Sequence, residues 1–127
     1  MAKIIGLGGV FFKAKAPLEL ASWYKQYLGL DTLEWGGAVF PWQNLPVLNA
    51  NAYNLWTPME EQTDYFAPST QNFMLNFVVD DLAELVKNLQ QQNLAISEIQ
   101  TQEQGKFAWI LDPEGNKVEL WEPAKAD

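Results

Sequence analysis

The chain has 127 residues, 48% of them hydrophobic, and a formal net charge of -8 at pH 7. It contains no cysteine and no histidine, and its eight basic residues are all lysine. Disulfides, thiolate nucleophiles, imidazole bases and zinc fingers are therefore excluded.

A chain of this length folds as one domain and buries roughly two-thirds of its unfolded surface without staples. The acidic balance makes nucleic acid a poor partner. Without arginine there is no bidentate clamp for a strongly anionic substrate such as a nucleotide or glutathione. A cationic or neutral small molecule fits better. A metal would have only oxygen ligands, which suits Mg, Mn or Ca. Met1 to Phe12 lacks the charged-then-apolar pattern of a signal peptide, and no run is long enough to span a bilayer. A cytoplasmic protein with no membrane partner is expected.

Residues 4–13 read as a first strand, with Ile5, Leu7, Gly9 and Phe11 on one face and Val10 and Phe12 on the other. Gly6, Gly8 and Gly9 weaken it, and either a close ligand approach or tight strand packing accounts for them. Pro17 suits a first helical turn. Leu20, Tyr24, Tyr27 and Leu28 follow at helical spacing, and Gly29 is a left-handed stop. Short strands are expected over 31–35 and 38–42 around a turn at Gly36-Gly37, and another over 51–57, where Asn54 and Trp56 share a face. Residues 58–72 have little periodicity, two prolines and the aromatic pair Tyr65-Phe66. A loop this long is either a connector whose rings fold back for packing or a lid over a pocket.

Residues 73–79 read as a strand, with Met74, Asn76 and Val78 on one face. Asp80 or Asp81 caps the next helix. Leu82, Leu85, Val86 and Leu89 form its apolar stripe, and Asn93 is its left-handed stop. Another strand is expected over 95–100. The last element is the clearest. Asp112-Pro113-Glu114-Gly115 has the residue order of a type I turn. A three-residue loop with a bulge at the glycine pairs Asp112 with Asn116. Counting outward sets Trp109 opposite Glu119 and Phe107 opposite Trp121, and cross-strand partners share a face. One face then carries Phe107, Trp109, Glu119 and Trp121. The other carries Ala108, Ile110, Val118 and Leu120.

Strand, helix and further strands occur in each half, which implies two duplicated βαβββ modules, about 4–57 and 73–123, joined by residues 58–72. With the closing Asp-Pro-Glu-Gly-Asn-Lys-Val-Glu-Leu-Trp-Glu-Pro, the Phe-Val-Val-Asp-Asp-Leu before the second helix and the Trp-Tyr-Lys-Gln-Tyr-Leu-Gly-Leu of the first, this order resembles the vicinal oxygen chelate (VOC) superfamily. That group includes glyoxalases, bleomycin-resistance proteins and extradiol dioxygenases. The resemblance covers residues 4–123 and implies an α+β fold in which a curled mixed sheet forms a cup with helices outside, usually as a homodimer. It places the family's four metal-ligand positions at Gly9, Asn54, Met74 and Glu119. Only Glu119 is a good ligand among them, so no cofactor is expected, with a divalent metal left open.

By strand parity the cup would be lined by Gly9, Phe11, Asn54, Trp56, Met74, Asn76, Phe107, Trp109, Glu119 and Trp121, with Trp42 as a further ring. Three readings follow. In the first, the protein binds a flat cationic or aromatic molecule on tryptophan faces, with Glu119 as counter-charge. In the second, it is a small lyase or isomerase of the lactoylglutathione lyase type, with a partly dehydrated Glu119 as general acid or base or as metal ligand. In the third, Glu119 is hydrogen-bonded to Asn54 or Asn76 as the remnant of a lost site, and rings fill the cup.

Overall fold

The computed structural model describes residues 9–41 and 52–125. Its elements are helix α1 (Pro17–Leu28), strand β1 (Leu75–Val78), helix α2 (Leu82–Gln91) and strands β2 (Gln100–Gln102), β3 (Gly105–Leu111) and β4 (Lys117–Pro123). The strands form one mixed sheet in the order β1-β4-β3-β2, with β1 parallel to β4 and the other neighbours antiparallel. From β1 onward the chain is a βαβββ unit, the architecture expected of the second module.

The hairpin has the register expected from its turn. Phe107 pairs with Trp121, Trp109 with Glu119 and Leu111 with Lys117. Asp112 N–H donates to the Asn116 carbonyl at 2.9 Å, and Gly115 sits at φ 80°. The aliphatic face is the core. Ala108, Ile110, Val118 and Leu120 are buried with Leu20 and Tyr24 of α1 and Leu82, Val86 and Leu89 of α2. Full burial of a side chain such as Leu82, Leu89 or Leu120 is worth roughly 1.5–3 kcal/mol over exposure.

Both helices end for local reasons, and α2 also begins for one. In α1, Pro17 takes the first turn and Gly29 stops the helix at φ 68°. In α2, the Asp81 carboxylate accepts from Glu84 N–H at 3.1 Å, and Asn93 turns left-handed at φ 62°. Ala16 has no capping side chain, so the N-terminus of α1 is served from elsewhere. The Glu114 carboxylate, on the hairpin turn, accepts from Lys15 N–H at 2.7 Å and Ala16 N–H at 3.0 Å. An anion there also meets the positive end of the helix dipole. Beside it, buried Asp112 accepts from Tyr24 OH at 2.7 Å, from the Asn116 side chain at 2.8 Å and from the Glu114 and Asn116 N–H groups, both at 2.9 Å. Burial and Asp112 both push the Tyr24 hydroxyl pKa upward. One turn thus ties the first helix to the last two strands.

The first half departs from the sequence expectation. Residues 9–13 of the expected first strand join no ladder; Val10 and Phe12 are exposed rather than set between sheet and helices, and Phe11 is exposed rather than lining a cup. Around the Gly36 turn the described residues form only the bridge Thr32–Ala38, and residues 52–57 form no strand. Alternation alone does not hold an extended segment. It needs an edge to pair with and a face to bury, and glycine weakens it further. In the second half the strand expected over 95–100 shortens to the bridge Ile96–Ile110, with β2 starting at Gln100. The rest of the expected first strand (4–8), Trp42, the break at 44–46 and Asn51 lie outside the described residues. Among the described residues no helix is long and apolar enough to cross a membrane.

Candidate functional site

On the sheet face away from the helices, Glu119 sits at the centre of a polar and aromatic cluster. Its position follows from pairing. In the parallel β1·β4 pair it lies opposite Asn76, and in the antiparallel β3·β4 pair opposite Trp109. Partners on both sides therefore reach the same carboxylate. Asn76 Nδ2 donates to Oε1 at 2.7 Å, and Trp109 Nε1 donates to Oε2 at 2.8 Å. The third donor comes from residues 58–72: Tyr65 OH reaches Oε2 at 2.5 Å. Glu119 is only 8% exposed. Among the described residues its three partners are neutral, so they replace lost water without cancelling its charge.

Rings extend from this centre. Phe107 stacks on Trp109, with centroids 6.4 Å apart and planes 13° apart. It stacks on Trp121 at 6.2 Å and 7°. Tyr65 meets Trp109 edge-on, and Tyr53 meets Trp121 in the same way. Trp121 is fixed by its indole N–H, which donates to the Gln104 carbonyl at 2.9 Å. Lys117 lies two residues before Glu119 on the same strand face. Its Nζ donates to the Tyr65 carbonyl at 2.5 Å and sits 5.1 Å from the Tyr65 ring centroid and 5.6 Å from that of Trp109. Burial, then the hydrogen bond to Glu119, push the Tyr65 pKa up to about 12. Tyr65 is therefore a proton donor to Glu119 throughout the neutral range.

Of the residues expected to line a cup, the structure brings together Glu119, Asn76, Phe107, Trp109 and Trp121. Met74 is half-buried just before β1, and Gly9 is exposed. Phe11 is 97% and Trp56 79% exposed, and Asn54 is exposed as well. Among the described residues no hydrogen bond or ring contact joins these three to the Glu119 cluster. The described parts of the strands that would have aimed them inward, residues 9–13 and 52–57, form no ladder. Asn76 rather than Asn54 bonds Glu119. Two members of the cluster were absent from the expected lining. Lys117 was visible by parity with Glu119 and Trp121. Tyr65 was visible only as an aromatic in a segment without a period.

The donor set does not fit a metal ion. Gly9 has no side chain to offer, Met74 is a poor partner for a hard cation, and Asn54 stands apart. The Glu119 oxygens face an amide N–H, an indole N–H and a phenol O–H, which are anion-binding groups rather than co-ligands. Among the described residues no cluster of three acidic side chains could hold a metal ion. A hollow opens on the helix side of the sheet, lined by Leu28, Leu30, Val39, Phe40, Phe77 and Leu120 among others. Its walls are mainly apolar, as expected of a gap between α1 and the sheet edge.

No family model and no curated protein matches the chain, but solved structures do. TnmS3, an antibiotic binding protein from Streptomyces sp. CB03234, is 28% identical over 39% of this chain and 41% of its own, with a TM-score of 0.38. A glyoxalase/bleomycin resistance protein from the same organism is 27% identical over 38% of this chain and 42% of its own, with a TM-score of 0.36. The chain thus spans about two-fifths of the length of these two proteins. A protein from the mobile metagenome of V. pseudocholerae is 19% identical over 88% of both chains, with a TM-score of 0.48. A glyoxalase/bleomycin resistance protein is among the solved structures that match part of this chain.

Proposed function

We propose that this glyoxalase/bleomycin-resistance-like protein binds a small, flat, cationic molecule on the ring face of Phe107, Trp109 and Trp121, with Glu119 as its counter-charge. The observation that carries this reading is the setting of Glu119: a buried carboxylate whose partners among the described residues are all neutral donors, set among stacked rings. Such a site has a negative focus and π-faces, the pairing that recognises an aromatic cation. The net charge of -8 favours the approach of the same class of ligand. The exposed apolar side chains of the first half, Phe11 and Trp56 among them, suit burial against a second copy of the chain. We therefore extend the proposal to a homodimer.

The test is a titration followed by tryptophan fluorescence and calorimetry, using flat aromatic cations and their neutral counterparts. The wild type should prefer the cations, and Glu119→Gln should lose most of that preference while keeping the fold. Equal binding of both classes, or no response to either across a varied panel, would remove the reading.

The acid–base alternative has one observation in its favour, the 2.5 Å contact between the Tyr65 hydroxyl and Glu119. A paired phenol and carboxylate can pass a proton to a bound substrate. If this is the protein's work, Glu119→Gln abolishes turnover of an isomerase or lyase substrate. Unaltered rates would dismiss it.

A further inference from the structure

We propose that Lys117 is an internal competitor for the ligand's positive charge, and so sets how strongly the site prefers cations over neutral aromatics. The inference rests on the proposed ligand class and concerns the selectivity of the same site. Lys117 shares the strand face of Glu119 and Trp121 because it stands two residues before the first on β4. Its ammonium makes no ion pair with a carboxylate among the described residues, where the salt bridge is Lys106–Glu122. It is held instead by the Tyr65 carbonyl and by the faces of Tyr65 and Trp109. Two ring faces and a carbonyl, next to a buried carboxylate, are the surroundings in which an aromatic cage holds a ligand cation. Here the cation is the protein's own.

The consequence is an exchange. A ligand cation that stacks on Trp109 must move the Lys117 ammonium out to water, which lysine's flexible stem allows. A neutral ring has no use for the ammonium's position. Removing the lysine charge should therefore raise affinity for a cation more than for its neutral isostere. Lys117 also ties down the Tyr65 backbone. If that tie were its main role, removing it would open the site to both ligands alike.

The experiment measures the ratio of affinities for N-methylacridinium, a permanent flat cation, and acridine, at mildly alkaline pH where acridine is uncharged. The proteins are the wild type, Lys117→Met, which keeps the stem and loses the charge, and Lys117→Arg, which keeps a stacking cation. The cation-to-neutral ratio should rise about three- to tenfold in Lys117→Met, the range set by a partly solvated cation–π contact. It should return towards the wild-type ratio in Lys117→Arg. A parallel gain for both probes in Lys117→Met, or an unchanged ratio, overturns the competitor role while the wild type's own cation preference leaves the binding reading standing. A wild type and a Lys117→Met protein that both ignore the two probes overturn the binding reading and this inference with it.

Discussion

Tyr65 and Glu119 lie 54 positions apart in the chain and meet through an O–H···O hydrogen bond of 2.5 Å. The contact brings Tyr65 onto the β3·β4 face, and Lys117 adds a second tie to the same residue through the Tyr65 carbonyl. Burial and Glu119 raise the Tyr65 pKa from 10.0 to about 12. A group with a raised folded-state pKa stabilises the fold fully below its unfolded value, and this is lost as pH rises through its folded one. Tyr65→Phe should therefore cost about 1 kcal/mol in urea unfolding at neutral pH, the usual worth of one part-exposed hydrogen bond. The gap between wild type and variant should hold up to about pH 10 and shrink towards pH 12. A gap that stays constant through that window would show that the hydroxyl contributes nothing through Glu119.

A second relationship predicts a larger effect. Asp112 is 5% exposed and accepts hydrogen bonds from Tyr24 OH, the Asn116 amide and two backbone N–H groups. Asp112→Ala strips the partner from a buried phenol and a buried amide at once. Each buried group left unsatisfied costs about 1–3 kcal/mol, so the variant should lose several kcal/mol or fail to fold. Tyr24→Phe removes one donor and leaves the carboxylate its other three, and should cost only about 1 kcal/mol. Chemical denaturation of both variants checks the order. A Tyr24→Phe loss as large as that of Asp112→Ala would mean that packing of the Tyr24 ring dominates.

How much of this could be read from the residues depends on range. The β3–β4 register needed only a turn and an alternation, both local, and Phe107, Trp109, Glu119 and Trp121 fell into place from them. The two helices needed only their stripes and stops. That Asn76, rather than Asn54, meets Glu119 depends on which strand lies parallel beside β4, a choice that alternation leaves open. Tyr65 reaches the site from a segment with neither helix nor strand period, so nothing in its spacing points to Glu119. The strands expected in the first half show the opposite failure. Their alternation is clear at Val10 and Phe12, but among the described residues it meets no partner edge.

Glu114 carries a pH prediction in the acid range. Its carboxylate accepts from the Ala16 and Lys15 N–H groups at the start of α1, and those bonds hold its pKa below the usual carboxylate value. A carboxyl depressed in the folded state stabilises fully above its unfolded pKa, and this is lost as pH falls through the folded value. Wild type should therefore melt above Glu114→Gln at neutral pH, and the difference should close as the pH is taken down through the acid range. Thermal melts of both proteins at matched salt across that range make the comparison. A difference that persists at the acid end would assign the effect to shape rather than charge.

The two hairpin glycines separate strain from crowding. Gly115 ends the β3–β4 turn at φ 80°, and a methyl added there would meet nothing within 4 Å. Gly115→Ala therefore suffers only the left-handed backbone cost, about 1–2 kcal/mol. Gly105 opens β3 at φ 132°, and its added methyl would lie 2.2 Å from the Glu122 carbonyl oxygen and 2.8 Å from Ala124 N. Both contacts are backbone, so no side chain can turn aside to make room. The end of the β3·β4 ladder, where Gly105 pairs with Pro123, would have to part. Gly105→Ala should thus be clearly the more destabilising of the two. Hydrogen exchange should show its loss concentrated at the 105–107 and 121–124 end of the hairpin, near the Trp121 indole that bonds Gln104. Equal losses for the two variants, or uniform exchange along the ladder, would mean that the backbone there yields without breaking the pairing.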